Sequence, residues 1–195
     1  MSESENDASA APHGLADGSP PATPEQLLAL LDTLGMAVET HRHEPVFTVE
    51  ESAHVTAQIP GGHTKNLFVK DKKDNYFLIV AENHARIPLN RLHGLIGAKS
   101  RVSFGNGERL MAFLGVLPGS VNAFAPMNDH GNRVRVIIDA PLLRFDRINC
   151  HPLINSMTTT ILREDLLRFL DHVGHTPEIL QLSETAEENV EAAAE

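Results

Sequence analysis

Apolar and polar positions recur along this chain with two periods, and the switches between them mark its elements. Thr23-Pro24-Glu25-Gln26 combines a capping hydroxyl, a proline at the first helical position and a glutamine at the third, which together start a helix. Leu27, Leu28, Leu31 and Leu34 continue it as an apolar stripe, and Gly35 ends it. Met36 to His43 alternates loosely, as a strand does. Thr48-Val49-Glu50-Glu51 repeats the capping pattern and predicts a short helix through His54. HTKNLFVKD (63–71) and NYFLIVAE (75–82) predict two strands joined at Lys72-Lys73-Asp74 into a hairpin. Pro88 opens a short helix toward Gly94, and NGERLMAFLG (106–115) predicts another. RVRVIID (133–139) and the Thr-rich run Ser156 to Ile161 read as strands, and Leu162 to Val173 as an amphipathic helix closed by Gly174. Short helices interleaved with hairpin-like strands predict an α+β fold with a mostly antiparallel or mixed sheet.

Outside this patterned region the chain changes character. Residues 1–23 are rich in Ser, Ala, Pro, Gly and Asp, without apolar periodicity, and read as a disordered acidic lead. Residues 184–195 are Ala/Glu-rich with no apolar face to dock, and read as a disordered acidic tail. That leaves one ordered domain over 24–183, as expected for 195 residues. The division changes what the net charge of −10 means. Nine of the 26 acids lie in the two ends, which hold no Lys or Arg, so the domain keeps 17 acids against 16 bases. A nearly neutral domain with local basic clusters can bind a polyanion. No run approaches the ~18–20 apolar residues of a membrane helix. The start, MSESENDASAAP, lacks the basic and apolar parts of a signal peptide. With a single cysteine, Cys150, the chain reads as a soluble cytoplasmic protein without a disulfide.

Several common chemistries lack their residues. Eleven histidines invite a metal reading, but His41-x-His43-Glu44 is the closest cluster, and there is no HExxH and no CxxC. His41 and His43 share one strand face and read as solvated. Gly61-Gly62-His63-Thr64-Lys65 has the wrong spacing for a phosphate loop. Gly119-Ser120 lacks the GxSxG elbow. Cys150-His151 are adjacent, whereas a catalytic Cys–His pair meets from distant sequence, so Cys150 reads as a small buried hydrophobe.

Three unusual segments remain. Gly61–Asn66 runs straight into a strand. If Leu67 and Val69 face inward, alternation puts Lys65 on that face, where it needs a partner and an anionic ligand is one candidate; if Phe68 faces the core, Lys65 faces solvent. Both orientations fit the pattern. GVLPGSVNAF (115–124) sets two glycines and a proline among small residues, as suits backbone amides approaching a ligand or an ordinary turn. Cys150-His151-Pro152 precedes the Thr-rich strand.

In this order the segments resemble the YbaK/prolyl-tRNA-synthetase-associated editing domain family, over roughly residues 25–182. They are most similar to its freestanding PrdX or ProXp-ala members, which deacylate alanyl-tRNA(Pro). HTKNLFVKDKKDNYFLIVAE (63–82) is the most specific stretch, supported by 115–124, AFAPMND (123–129) and INCHPLINSMTTTI (148–161). The resemblance implies a single compact domain with a central mixed, barrel-like sheet surrounded by short helices. It implies hydrolysis of the ester between a wrong amino acid and the terminal ribose of tRNA, with no metal, cofactor or covalent nucleophile. By resemblance Lys65 is the signature lysine holding the terminal phosphate–ribose region, with Asn66 beside it. Gly119, with Ser120, Val121 and Asn122, falls in the glycine-rich loop that meets the substrate carbonyl. His151 matches the pocket histidine. Lys70, Lys72 and Lys73 are either acceptor-stem contacts or a solvated turn. One departure stands out: Ala123 occupies the place of a proline common in relatives, and a side-chain hydrogen bond from Asn122 is the expected compensation. The implied partners are mischarged tRNA at its acceptor end, with prolyl-tRNA synthetase or the elongation machinery alongside, and neither DNA nor membrane. A deacylase for Cys- or Ser-charged tRNA, a tRNA-binding module without catalysis, and an adaptor using the acidic ends are the competing readings.

Overall fold

The computed structural model describes residues 14–45 and 58–183. Helix α1 (Pro24–Thr33) starts where its capping box predicts, with Gln26 N–H donating to the Thr23 hydroxyl and the Gln26 side chain returning to the Thr23 amide. Strand β1 (Val38–Arg42) follows. Next come the hairpin strands β2 (Gly62–Lys70) and β3 (Tyr76–Glu82), paired antiparallel from Thr64–Glu82 to Lys70–Tyr76. Helix α2 (Leu92–Leu95) is shorter and later than the proline suggested, because residues 88–91 form only a turn, Arg91 N–H to Pro88 carbonyl. Strand β4 (Ser103–Phe104) and helix α3 (Gly107–Leu114), capped by Asn106, precede β5 (Val134–Asp139). Strands β6 (Arg147–Cys150) and β7 (Met157–Leu162), helix α4 (Arg163–His172) and strand β8 (Glu178–Leu180) complete the order. The capping box at Thr48 and the helix expected through His54 lie outside the described residues.

The expected α+β fold is present, and its sheet is mixed. Eight strands join in the order β1-β7-β6-β2-β3-β5-β8, with β4 on β2. Pairs β1·β7, β6·β7, β2·β3 and β2·β4 are antiparallel; β2·β6, β3·β5 and β5·β8 are parallel. Nine-residue β2 is the bridge, because Gly62 and His63 pair with β6 while the rest pairs with β3. The two glycines at its start make this crossing possible. A side chain at Gly61 (φ 121°) would meet the Arg147 carbonyl at 2.7 Å, and one at Gly62 the Phe145 ring at 2.5 Å.

Both faces of the sheet are covered, differently. The first face carries the main core, in which Leu27 and Leu31 of α1, Phe113 of α3 and Phe169 of α4 pack on Phe68, Leu78, Val136 and Ile161. Each such side chain contributes about 1.5–3 kcal/mol through burial. The second face has a smaller core, where Val69, Phe77, Ile79 and Ile137 lie under Leu92, Ile96 and Leu182.

One boundary differs from the sequence reading. Residues 14–23 belong to the packed domain rather than to a disordered lead. Leu15 is buried, Ala16 N–H donates to the Ala112 carbonyl, Ala22 N–H donates to Asn128 Oδ1, and His130 pairs with Asp17 at 2.7 Å. These attachments are single residues with no period, so pattern reading passes over them.

Candidate active site

The orientation of β2 resolves in an unexpected way. Phe68 belongs to the first core and Val69 to the second, so the strand is buried on both faces and either half of the alternation looks inward. Lys65 shares its face with Leu67 and Val69. It is half-buried, and its ammonium donates to the Ala85 carbonyl. Burial pushes its pKa down, against the fields of Glu82 and Asp139, which hold the charge in place.

On the same face, away from the second core, the sheet turns polar. Alternation along β6 and β7 places Asn149, Thr158 and Thr160 there, opposite Ile148, Cys150 and Ile161 on the first face. Thr160 donates to Asn149 Oδ1 at 2.6 Å, and the Asn149 side-chain amide donates to the Pro60 carbonyl. That amide nitrogen lies 3.1 Å from His63 Nε2, which donates to the Ile59 carbonyl at 2.7 Å. His43 continues the row. Its Nδ1 donates to the Glu44 carbonyl at 2.8 Å, and its Nε2 accepts from the Thr158 hydroxyl at 2.9 Å. His151 follows β6 with its ring centroid 6.3 Å from that of His43. Burial, reinforced by His43 and His63, pushes the His151 pKa down to about 4. At neutral pH it is therefore an uncharged imidazole, and no hydrogen bond to its ring is found among the described residues. Among the described residues no three His, Cys, Asp or Glu side chains converge as metal ligands would. Cys150 faces the first core, where burial pushes its thiol up to about 12 and leaves it inert.

Asn66 points the other way, toward the first face, and its Oδ1 is buried without a partner among the described residues. Residues 115–124 belong to that side too, since Val116, Ala123 and Phe124 are core members and Val121 packs against them. The loop is fastened by its own side chain. Asn122, fully buried, donates from Nδ2 to the Ser120 carbonyl at 2.7 Å and accepts at Oδ1 from the Phe124 amide at 2.9 Å. These two bonds brace the loop on either side of Ala123. Gly119 takes φ 88°, a conformation that favours glycine. Ser120 N–H closes the turn on the Leu117 carbonyl, which leaves the Gly119 and Val121 amides without partners among the described residues. The structure thus brings Lys65, His63, Asn149 and His151 onto one face. Among the described residues no hydrogen bond or ring contact joins the loop to Lys65, Asn66 or His151.

Lys70, Lys72 and Lys73 occupy the far end of β2, roughly 17 Å along the strand from Lys65 at its ordinary rise. Lys70 pairs with Asp74 at 2.6 Å; Lys72 and Lys73 are exposed. Buried Asp71 organises this turn, accepting from the amides of Lys73, Asn75 and Lys99 and from the Asn75 side chain. Burial opposes its charge, but these donors win and hold its pKa at about 2.

Sequence reasoning missed His43, His63, Asn149, Thr158, Thr160 and Asp139. The alternation of 41/43 and 158/160 carried the signal, and it was legible only once these strands were known to be neighbours.

A family model described as the aminoacyl-tRNA editing domain matches residues 43–169, which hold both the polar row and the loop. The chain belongs to that family. A prolyl-tRNA editing protein, ProX, of Acetoanaerobium sticklandii is 31% identical over 159 residues, covering 81% of this chain and 96% of that one. A prolyl-tRNA synthetase associated domain-containing protein of Danio rerio is 35% identical over 158 residues, covering 80% and 85%. A solved structure of a candidate trans-editing enzyme for prolyl tRNA synthetase superposes with TM-score 0.61 at 18% identity, covering 86% of this chain and all of the other, and so shares the fold. No described helix of this editing domain is long and apolar enough to cross a membrane.

Proposed function

We propose that this editing-domain protein is a trans-acting deacylase that hydrolyses the ester of mischarged tRNA, with Ala-tRNA(Pro) as its substrate. The observation that carries the reading is a half-buried Lys65 and an uncharged His151 on the same polar face of the sheet within the editing domain. Lys65 offers its fixed charge to the terminal phosphate–ribose region. Burial depresses its pKa, and the charges of Glu82 and Asp139 oppose that shift. His151 accepts a hydrogen bond without competing for phosphate. Asn66 Oδ1, a buried acceptor in search of a donor, suits the substrate's ammonium.

An aminoacyl ester is already activated, so a positioned water suffices as nucleophile. The carbonyl oxygen gains negative charge as the water adds. The Gly119 and Val121 amides, without partners among the described residues and braced by Asn122, are the donors we assign to it, which requires the substrate to reach the loop face as well as the Lys65 face. A neighbouring ribose hydroxyl then moves the proton. Alanine is selected over proline by clash in a small site, a stronger filter than the 1–3 kcal/mol, or thereabouts, that one methylene yields. Lys72 and Lys73 are assigned to the acceptor stem with prolyl-tRNA synthetase as the source of substrate in the cytoplasm.

Single-turnover hydrolysis of Ala-tRNA(Pro), with Pro-tRNA(Pro) and Lys65→Ala as controls, tests this. Alanine loss that requires Lys65 and spares proline is the expected result. Hydrolysis of Cys- or Ser-charged tRNA alone moves the substrate. Binding with no hydrolysis of any of them overturns the enzyme reading.

A further inference from the structure

Asp139 closes β5 and is fully buried. Its two oxygens are used unequally. Oδ1 accepts from the amides of Leu182 at 2.9 Å and Ser183 at 3.1 Å, fastening the chain after β8. Oδ2 is buried and has no partner among the described residues. A buried carboxylate oxygen left unpaired is costly, so a compensating charge or donor is expected nearby. The sheet register shows what lies opposite. Lys65 pairs with Ala81 across β2·β3, and the β3·β5 ladder, ending at Val80–Ile138, sets Ala81 beside Asp139. All three residues share the second face, in one row across adjacent strands. Within that row only the methyl of Ala81 stands between the two residues.

We propose that Asp139 is the positioning residue for Lys65: its buried carboxylate keeps the half-buried amine charged and aimed along the polar face. The charged groups acting on Lys65 are Glu82 from the end of β3, the stronger of the two, and Asp139 from β5, while His63 shares its strand face. Glu82 lies at the rim, half-buried and open to water, whereas Asp139 acts through low-dielectric interior and is screened least. Asp139 also anchors residues 182–183, so the chain after β8 is tied to the lysine through one carboxyl group. The catalytic part of this proposal rests on the deacylase reading; the electrostatic part does not.

The test reads the amine itself. Full-length wild type, Asp139→Asn and Glu82→Gln are labelled competitively with acetic anhydride across pH, and acetylation of Lys65 is followed by mass spectrometry. Asp139→Asn keeps an oxygen for the Leu182 and Ser183 amides and removes only the charge. Its Lys65 is expected to titrate lower and to label at least about threefold faster near pH 8, half a pKa unit, with a change in the same direction in Glu82→Gln. Unchanged labelling in a folded Asp139→Asn protein overturns the proposal. If that variant does not fold, Lys65→Met supplies the reciprocal reading: the Asp139 carboxyl carbon resonance must titrate at higher pH, and an unmoved titration overturns the proposal equally. In single-turnover deacylation the alkaline fall in rate of Asp139→Asn should move down with the amine. A moved amine with an unmoved rate profile overturns the catalytic part. Absence of hydrolysis in every variant, wild type included, defeats the proposed function and leaves the labelling result to stand alone.

Discussion

The two ends of β2 each present a buried aspartate, and the two are finished in opposite ways. At the lysine turn, Asp71 accepts four hydrogen bonds shared over both oxygens. At the site end, Asp139 spends one oxygen on two amides and leaves the other without a partner among the described residues. The first arrangement is closed: the carboxylate needs nothing beyond its own turn. The second is left open, in the row that Asp139 shares with Lys65. Satisfied burial marks a structural joint, and unsatisfied burial marks where chemistry is held in reserve.

Four perturbations break or sharpen this contrast. Lys65→Ala carries the largest effect, lowering the single-turnover rate about 10²–10³-fold while the melting temperature stays near wild type. A comparable rate in the variant would place the chemistry elsewhere. Next is Asn122→Ala, which frees the Ser120 carbonyl and the Phe124 amide in the buried loop. It should cost about 1–3 kcal/mol in denaturant unfolding and slow deacylation, which shows whether the loop, though on the other face, belongs to the site.

Acid separates the ends by window. His151 has its pKa lowered from 6.5 to about 4, so the unfolded chain binds more protons between those values. Stability is complete above 6.5 and declines as pH falls toward 4, and His151→Asn should flatten that slope. Asp71 is lowered from 3.8 to about 2, so its contribution is complete above 3.8 and is lost as pH falls toward 2. Asp71→Asn should flatten only this lower window. The smallest effect belongs to Lys72→Glu with Lys73→Glu. It is expected to raise KM for tRNA several-fold, to reduce the salt slope by up to about 2, and to leave kcat unchanged. An unaltered salt slope would make the turn merely solvated.

Much of this architecture was legible residue by residue. The α1 capping box, the β2–β3 hairpin and the amphipathic α4 announce themselves through short-range chemistry. The family motifs marked Lys65, the 115–124 loop and His151. What stayed hidden depends on neighbours distant in sequence. Lys65's orientation could not be read because Phe68 and Val69 each belong to a core, so both halves of the alternation are apolar. Strand β8 is three residues long and β4 two, too short for any period. Asp139 looked like the polar end of a strand until the register placed it in a row with Lys65.

The polar face also has an order of arrival. His43, just after β1, bonds Thr158 of β7 across 115 residues of chain. At ribosomal rates of about 5–20 residues per second, β1 waits roughly ten seconds for its neighbour. The main core can start to gather from the β2–β3 hairpin and α3 in the meantime. His43 and its Thr158 partner therefore meet only at the close of folding. The surface assigned to proofreading the charging of tRNA is itself among the last parts of the protein that translation can complete.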